Sequence, residues 1–589
     1  MSVPPRNVSR RAVLAGLAAL GSASLLPATA HATPVLRQAP DTVAGLIRNP
    51  EFGNGVMAGV PRTDGATLWT RVGGASGTGS VGSSSGSLGS SSGSLGSSSG
   101  SLGSSSGSLG SLGSSTGSLG SAGSSAAGGE LALIVSTRED LSSPVLAERV
   151  QVREDADGTV HFDANGLTPG ETYYYQFRGD GNESPVGRFR TLRPADSNEP
   201  VRIGWFTCQG YETGYYSAHR HLAAEDLDFV VCLGDYVYEF TGAGVRGLDT
   251  NPFPQNLEGM REKYRMYRTD SDLQLMHSQH AFIPIWDDHE FRNNYSQDGW
   301  TFPVIAPIDT ALGFQQKKQW AWQSWFEHMP VPRFSDDPLR TYRSLRVGKT
   351  VELFAPDSRQ YRDVQPDGDV DHTVSPHADA PGRTMLGATQ KSWLINGLAQ
   401  SDAQWKVIAN ASMMMGMVTQ DDGARGYYDT WDGYGAERTE ILSAAAQSVE
   451  NLVLVTGDDH DGWAGELWDT GFAPGTLSGD QGNPPGTQRA GVEFVVPSVT
   501  SPNTGDGGAT GSSSGGNIPG ARAEEISRRA KNPHVKHVDM VSHGYGVLSC
   551  DQNEARMQFR SVDKSDPNAG VTTSKTVRTP TGQSVIEDV

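Results

Sequence analysis

Cysteine is scarce in this chain, with three residues, Cys208, Cys232 and Cys550, among 589. An odd and low count excludes the disulfide-stapled scaffold of small secreted domains. Cys232 lies inside the apolar run FVVCL, which is typical of a buried, small hydrophobic side chain. Cys208 instead comes at the end of an apolar run, where other segments of the chain place carboxylates and histidines. It is therefore a candidate ligand, and a buried structural cysteine is the alternative.

Long hydrophobic runs and positive charge are also lacking. After residue 32 no segment approaches the ~18 consecutive apolar residues of a membrane-spanning helix, so we expect no stable membrane insertion. The formal net charge of −20 repels nucleic acid and argues against a nucleic-acid partner. A phosphate substrate stays compatible with this charge, because bound cations would dominate the field inside a pocket.

Residues 1–32 have the pattern of an export signal. The pair Arg10-Arg11 precedes a mildly apolar stretch, which ends in a small-x-small cleavage pattern at Ala30 and Ala32. Paired arginines indicate the twin-arginine translocation machinery as a partner, and an ordinary secretory signal is the alternative. We expect an exported protein in the periplasm, the cell wall or the extracellular medium.

Residues 40–195 carry an all-β signature. Short runs rich in Val, Thr and aromatic residues, such as GATLWTRV and ELALIVST, alternate with turn residues. The motif LTPGETYYY at 167–175 is typical of a late strand in an Ig-like or fibronectin-like sandwich, with tyrosines packed at a corner. An insertion at 73–129 repeats GSSSGSL-type units every seven residues, and such a composition predicts a disordered loop without a core.

From residue 200 to residue 589 the pattern changes to strands that alternate with helices, which predicts an α/β domain. Apolar spacing and composition predict helices over 217–227, 311–329, 389–400 and 436–447.

Four apolar runs in this region end in side chains that bind metals. Short apolar runs bounded by polar residues predict buried strands, and ligands of open α/β sheets lie beyond the carboxyl ends of such strands. Distant residues are therefore expected to meet in one pocket that holds several metal ions. The candidate metal ligands are Cys208, Asp235, Tyr238, Asp287, Asp458 and His460.

The kinds of ligand in these segments restrict the chemistry. Hard cations prefer oxygen donors, whereas a thiolate and a phenolate, here from Cys208 and Tyr238, favour oxidised iron. Asp235 lies three residues before Tyr238, a spacing that lets its carboxylate bridge two ions. Two or three cations would hold phosphoryl oxygens and lower the pKa of a bound water, which predicts a hydrolase.

Eight motifs follow one another along the chain, namely FTCQG, LGDYVYE, WDDHEFRNN, DSRQYR, GATQKSWL, QWKVIANASMMM, WDGYGAER and GDDHDGW. In this order they resemble the alkaline phosphatase D (PhoD) family of metallophosphoesterases. The region before residue 200 is similar to the small N-terminal domain of that family. The resemblance implies a β-sandwich flanked by helices, a site with Fe³⁺ and Ca²⁺, and cleavage of phosphate esters.

The resemblance also implies roles for individual residues. The iron ligands would be Cys208, Asp235, Tyr238 and His460, and the calcium ligands would be Asp235, Asp287 and Asp458. Further ligands are left open among Asp288, Asn294 and Asn410.

The chain departs from the family pattern at two places. Asp459 and Asp461 add two carboxylates around His460, either as solvated loop charges or as groups that alter the second calcium position. The sequence ANAS at 409–412 stands where a glutamine-rich stretch is expected.

We predict His289, Arg359 and Asp288 as the catalytic side chains of an alkaline phosphatase or phosphodiesterase. A metal-bound hydroxide would attack the phosphorus of a small phosphate monoester or diester, and His289 would protonate the leaving alcohol. Arg359 would hold the phosphate, with charge balance as its alternative role. A phospholipase D-type diesterase of the same family is an alternative function. A catalytically dead, secreted binding protein is an alternative of another class.

Overall fold

The structure is a computed structural model that describes residues 45–73, 128–240, 244–246, 253–299, 311–368, 374–474, 476, 487–507 and 516–589. These residues belong to one compact unit, Arg37–Val589. The predicted export signal at 1–32 and most of the Gly/Ser insertion at 73–129 lie outside the described residues.

The first eight strands, in chain order, are β1 (Val56–Arg62), β2 (Gly65–Arg71), β3 (Glu130–Ser136), β4 (Pro144–Gln151), β5 (Thr159–Ala164), β6 (Thr172–Arg178), β7 (Gly187–Arg190) and β8 (Val201–Phe206). The next six are β9 (Phe229–Leu233), β10 (Ala281–Ile285), β11 (Arg343–Val347), β12 (Val351–Ala355), β13 (Trp405–Asn410) and β14 (Leu452–Thr456). The remaining described strands are β15 (Gly462–Trp468), β16 (Arg489–Val495), β17 (Val535–Asp539), β18 (His543–Cys550), β19 (Glu554–Val562), β20 (Val571–Pro580) and β21 (Glu587–Asp588).

The described α-helices include the four predicted from sequence, with ends shifted by up to three residues. They are α1 (Ser217–Ala224), α2 (Leu257–Tyr267), α3 (Ser271–Gln279), α4 (Ala311–His328), α5 (Gly387–Gln400), α6 (Gly435–Ser448) and α7 (Ile518–Lys531). Throughout the part of the chain that the structure describes, every helix is too short or too polar to cross a lipid bilayer.

Most of the described strands belong to two large sheets. A ten-stranded sheet has the order β21-β20-β19-β18-β8-β9-β10-β1-β2-β5, and a seven-stranded sheet has the order β11-β12-β13-β14-β16-β15-β17. Neighbouring strands β8, β9 and β10 run parallel, as do β12, β13 and β14. Parallel neighbours end at the same edge of a sheet, so the residues that follow these strands are brought together.

The central strands are apolar on both faces, as parallel strands covered on both sides require. In β14 the side chains of Val453 and Val455 pack in the core between the two sheets. The alternate side chains, Leu452 and Leu454, pack with Leu442 of α6 on the opposite face. This alternation of period two accounts for the continuous hydrophobic runs in the sequence.

The strands of the N-terminal region divide between two sheets. Strands β4, β3, β6 and β7 form a separate four-stranded sheet, whereas β1, β2 and β5 extend the ten-stranded sheet, with β1 parallel to β10. The predicted tyrosine corner is present, since the backbone N–H of Thr168 donates to the hydroxyl of buried Tyr173 at 2.8 Å. The N-terminal strands therefore complete the sheet that carries the central strands.

Trp69 on β2 connects the N-terminal strands with the region after residue 200. Its side chain is fully buried, and its indole N–H donates to the carbonyl of Glu327 in α4 at 2.9 Å. The guanidinium of Arg268 lies 4.5 Å from the centre of its ring. We therefore expect β2 to unfold together with the region after residue 200.

Trp69→Ala should lower the free energy of unfolding by about 3–5 kcal/mol, because it removes a large buried side chain and leaves a cavity. Urea unfolding followed by circular dichroism would show one transition at lower urea concentration, and Trp69→Phe would shift it less. Two separate transitions, with only one of them shifted, would show that the N-terminal region unfolds independently.

Candidate metal centre and active site

The candidate ligands follow four parallel strands of the two sheets. Cys208 follows β8, Asp235 follows β9, and Asp287 follows β10 in the ten-stranded sheet. Asp458 and His460 follow β14 in the seven-stranded sheet. Residues 250 positions apart in the chain thus meet where the two sheets pack together, as the sequence predicts.

Four of these ligand candidates have a left-handed backbone. The φ angles are 56° at Cys208, 54° at Asp235, 69° at Asp458 and 68° at His460. Non-glycine residues seldom adopt positive φ, and such conformations often mark functional sites. The turns after the strands therefore hold these side chains in conformations that the surrounding structure must maintain.

The first cluster contains a thiol, a carboxylate, a phenol and an imidazole. The Sγ of Cys208 lies 3.4 Å from Oδ2 of Asp235, and the hydroxyl of Tyr238 donates to the same oxygen at 2.9 Å. Nε2 of His460 lies 3.3 Å from the hydroxyl of Tyr238. The potential ligand atoms of Cys208, Asp235 and His460 all lie within 4.8 Å of one another.

Two further groups share residues with the first. Asp235, Asp288 and His289 form one group, and Asp287, Asp288 and Asp458 form the other, each with ligand atoms within 4.8 Å. Asp235 thereby links the thiol–phenol cluster to the carboxylates. All six metal ligands predicted from sequence, with Asp288 and His289, are brought together in the structure.

Arg359 lies among the carboxylates and is fully buried. Its Nε donates to Asp287, and its Nη1 donates to Asp429 at 2.7 Å. Its Nη2 lies 3.8 Å from oxygens of both Asp288 and Asp458 and has no hydrogen-bond partner among the described residues. The guanidinium thus offsets the charge of the carboxylates.

Burial shapes the pKa values in the thiol–phenol cluster. Burial, reinforced by the charge of Asp235, raises the pKa of the Cys208 thiol and of the Tyr238 phenol well above their usual values. Burial also raises the pKa of Asp235 itself, and it lowers the pKa of His460 to about 4. Burial therefore favours the neutral forms of these groups.

The pKa values of Asp287, Asp288 and His289 shift in different directions. Burial raises the pKa of Asp287 to about 6, although Arg359 opposes the shift. Burial also acts on Asp288, but the charges of Arg359 and His289 overcome it and hold the pKa of Asp288 below its usual value. For His289, Glu239 and the nearby aspartates outweigh burial and raise the imidazole pKa.

The donor set fits metal ions. Oδ2 of Asp287 and Oδ1 of Asn410 are buried oxygens that have no hydrogen-bond partner among the described residues. A cation in the first cluster would compensate the buried negative charge of ionised Cys208, Tyr238 and Asp235. Thiolate and phenolate donors favour iron, and the carboxylate group suits a hard cation such as calcium.

Several residues that orient the site were not among the predicted ligands. Glu239 accepts from Nδ1 of His289 at 2.7 Å, and Glu290 accepts from the backbone N–H groups of Asp235, Tyr236 and Asp287. Glu239 and Glu290 close the motifs LGDYVYE and WDDHE, so their proximity to ligands in the chain was an available signal. Asp429, which binds Arg359, lies in a loop whose sequence carries no such signal.

The two additional carboxylates are not solvated loop charges. Asp459 accepts from the indole N–H of Trp463 at 2.6 Å. Asp461 is buried and accepts from the backbone N–H of Thr504 at 3.1 Å and from its hydroxyl at 2.7 Å. Burial raises the pKa of Asp459 to about 6.

A cavity of about 420 Å³ opens at the site. Its walls include Asp235, Asp288 and Asp458 from the carboxylate groups, and Asp459 and Asp461 beside them. The other lining residues include three methionines, an aromatic side chain and an arginine, namely Met413, Met417, Met540, Trp463 and Arg528. The site therefore has room for a substrate larger than inorganic phosphate.

Comparisons with known proteins agree with this geometry. The sequence pattern of the PhoD-like phosphatase family matches residues 203–559, and that of the N-terminal domain of PhoD-like phosphatases matches residues 38–193. The chain belongs to the PhoD-like phosphatase family. Alkaline phosphatase D of Bacillus subtilis (strain 168) is 31% identical over 430 residues, which cover 70% of this chain and 68% of that protein. A solved structure of PhoD superposes with a TM-score of 0.75 and 26% identity over 92% of both chains.

Membership in the PhoD-like phosphatase family confirms two predictions. The fold class is a β-rich α/β fold with an N-terminal β region, and the chain is a phosphoric ester hydrolase. The alternative of a secreted binding protein without activity is therefore not supported.

Gly234 allows the turn after β9 to pass close to the turn after β10. Its φ is +99°, and a Cβ at this position would lie 2.3 Å from Cβ of Asp287. Gly234→Ala should therefore displace Asp235 and Asp287, and a displacement of 1 Å can lower kcat about 100-fold. The measurement is kcat for p-nitrophenyl phosphate.

Gly166→Ala is the matched control, since Gly166 has φ +79° and nothing lies within 4 Å of an added Cβ. The control carries the backbone strain but no clash, so its kcat should stay at the wild-type level. Equal kcat values for both variants would contradict the proposed contact.

Proposed function

We propose that this PhoD-like phosphatase is an exported, metal-dependent phosphoesterase that uses Fe³⁺ and Ca²⁺ to hydrolyse phosphate monoesters or diesters. The observation that carries the proposal is the convergence of Cys208, Asp235, Tyr238 and His460 beside a group of buried carboxylates. A thiol and a phenol on one carboxylate oxygen are an unusual combination, and it favours oxidised iron.

The residues divide into two metal positions. Cys208, Tyr238 and His460 would hold iron together with Asp235, and Asp235 would also contribute to the calcium position. The remaining calcium ligands would come from Asp287, Asp288 and Asp458, with Asn410 as a further oxygen donor. Cations held there neutralise charge on phosphoryl oxygens and make a coordinated water more acidic.

His289 would deliver a proton to the leaving alcohol. Its Nδ1 is hydrogen-bonded to Glu239 at 2.7 Å, and the residue lines the cavity. Glu239 fixes the orientation of the ring, so that Nε2 remains for the substrate. An alkoxide leaving group needs such a proton, and a positioned imidazole typically contributes about 10²–10⁴-fold to the rate.

Arg359 and Asp288 complete the proposed site. Nη2 of Arg359 lies 3.8 Å from Asp288 and from Asp458, but Arg359 is fully buried and does not line the cavity, so its proposed role is to balance the charge of the carboxylates. Asp288 accepts from the backbone N–H groups of His289 at 2.9 Å and Asn294 at 2.6 Å. These bonds hold the Asp288 carboxylate in place at the wall of the cavity.

A diester with a large alcohol group, as in a phospholipase D-type reaction, is a second candidate substrate. The cavity favours it, because Met413, Met417 and Trp463 line the same space as the carboxylates. Apolar walls of this kind accommodate an organic group beside the phosphorus. A monoester would leave much of this space to water.

Export through the twin-arginine machinery is part of the proposal and depends on Arg10 and Arg11 alone. This route carries folded proteins, which suits an enzyme that receives its iron before export. The destination would be the periplasm, the cell wall or the medium.

Cys208→Ala should abolish iron binding and hydrolysis of p-nitrophenyl phosphate, because it removes the only sulfur ligand of the proposed iron position. Iron content by mass spectrometry and kcat for p-nitrophenyl phosphate are the two measurements. Cys550→Ala, which removes another buried thiol from the end of β18, should leave both unchanged. Full activity of Cys208→Ala would refute the iron position.

The choice between monoester and diester can be measured directly. We expect the phosphatase to hydrolyse p-nitrophenyl phosphate and bis(p-nitrophenyl) phosphate, with the higher kcat/KM for the diester, because the second aryl group can occupy the apolar part of the cavity. Phosphatidylcholine is the third substrate of the comparison. A higher kcat/KM for the monoester would contradict the diester assignment.

A further inference from the structure

We propose that a short segment after β16, residues 498–504, positions two of the iron ligands. We call this segment the strap, and Ser501 is its principal positioning residue. The inference rests on the proposed function, since it concerns the ligands Tyr238 and His460. The strap has the sequence SVTSPNT and contains none of the six predicted metal ligands.

The strap connects the ligand turns of the two large sheets through backbone hydrogen bonds. The N–H of Ser498 donates to the carbonyl of His460 at 3.0 Å, beside β14. The N–H of Ser501 donates to the carbonyl of Cys208 at 3.1 Å, beside β8. The N–H of Val499 donates to Thr207 at 3.0 Å. One short segment therefore holds turns that are 250 residues apart in the chain.

Ser501 holds the phenol of Tyr238. Its hydroxyl donates to the Tyr238 oxygen at 2.7 Å and accepts from the backbone N–H of Gly210 at 3.0 Å. The N–H of Gly210 occupies a lone pair of the Ser501 oxygen, so the single hydroxyl proton of Ser501 is donated to Tyr238. The Tyr238 oxygen is thereby held 2.9 Å from Oδ2 of Asp235 and 3.3 Å from Nε2 of His460.

Pro502 selects the tautomer of His460. Its carbonyl lies 2.7 Å from Nδ1 of the imidazole. A carbonyl oxygen only accepts, so Nδ1 carries the proton and Nε2 keeps its lone pair. A metal ligand needs that arrangement, in which the second nitrogen is held by the surrounding protein.

Ser498, within the strap, connects it to His543 and through His543 to Asp506. The hydroxyl of Ser498 donates to the carbonyl of Ser501 at 2.6 Å and lies 3.0 Å from Nδ1 of His543, whose Nε2 lies 2.9 Å from Asp506. Nζ of Lys564 donates to the carbonyl of Thr500 at 2.8 Å. These bonds fix the strap through residues other than the ligands.

Ser498, His543 and Asp506 have the residue types of a hydrolytic triad. Ser498, however, is fully buried, and its hydroxyl donates to a backbone carbonyl of the strap. It is also absent from the walls of the 420 Å³ cavity, so a substrate does not reach it. The three residues therefore support the strap and do not form a second nucleophilic site.

Ser501→Ala should weaken iron binding about 10–100-fold, the usual effect of removing a hydrogen bond to a metal ligand, and should lower kcat with little change in KM. It should also shift the phenolate-to-iron absorption band, because the Tyr238 oxygen loses a hydrogen-bond donor. Ser501→Thr keeps the hydroxyl and should restore the iron affinity, kcat and the absorption band. Ser324→Ala removes another fully buried serine, on α4, and should change none of these three properties.

The outcomes separate this inference from the proposed function. If the wild-type protein binds iron and Cys208→Ala does not, an unchanged affinity and absorption band in Ser501→Ala overturn the role of the strap alone. If the wild-type protein binds no iron, both proposals fail. Should Ser501→Ala not fold, Ser501→Cys, which keeps a weaker donor at the same position, provides the comparison. Wild-type iron affinity and absorption band in Ser501→Cys would then overturn the role of the strap.

Discussion

Repulsion among buried carboxylates is the constraint on which the site depends. Asp235, Asp287, Asp288 and Asp458 meet at the ends of strands from two sheets; the first three are buried, and Asp458 is half-buried at the wall of the cavity. Burying one unpaired charge is costly, and burying several side by side is possible only with compensating positive charge. Arg359 supplies part of that charge, and the donor set indicates that cations supply the rest. The same imbalance favours the binding of metal ions, and cations bound there would in turn attract a phosphate.

The fold maintains this arrangement by means that lie outside the ligands. Parallel strands deliver the ligand turns to one place, and positive φ angles aim the side chains from those turns. Glu290 accepts hydrogen bonds from three backbone N–H groups, and backbone hydrogen bonds of the strap connect the turn of Cys208 to the turn of His460. The N-terminal strands extend the ten-stranded sheet and cover the edge that β10 would otherwise expose.

The ligands could be predicted because each belongs to a local pattern, in which an apolar run ends in a residue that binds metals. Cys208, Asp235 and His460 were accessible in this way, and so was the alternation of strands and helices. Asp429 and Ser501 were not accessible, because their roles depend on partners far away in the chain. Asp429 meets Arg359 from 70 positions away, and Ser501 meets Tyr238 from 263 positions away. A local pattern contains no information on such pairs.

The sequence by itself determined four of the seven described helices, the class of fold and the chemical types of the ligands, since hydrophobic periodicity and ligand chemistry are properties of short segments. Tertiary structure decided which carboxylate lies against Arg359, which nitrogen of His460 carries the proton, and that Asp459 and Asp461 are held by hydrogen bonds instead of being solvated. It also decided that the N-terminal strands share a sheet with the strands that carry the ligands. These properties arise from packing between distant segments, where burial and hydrogen-bond geometry determine which groups become partners.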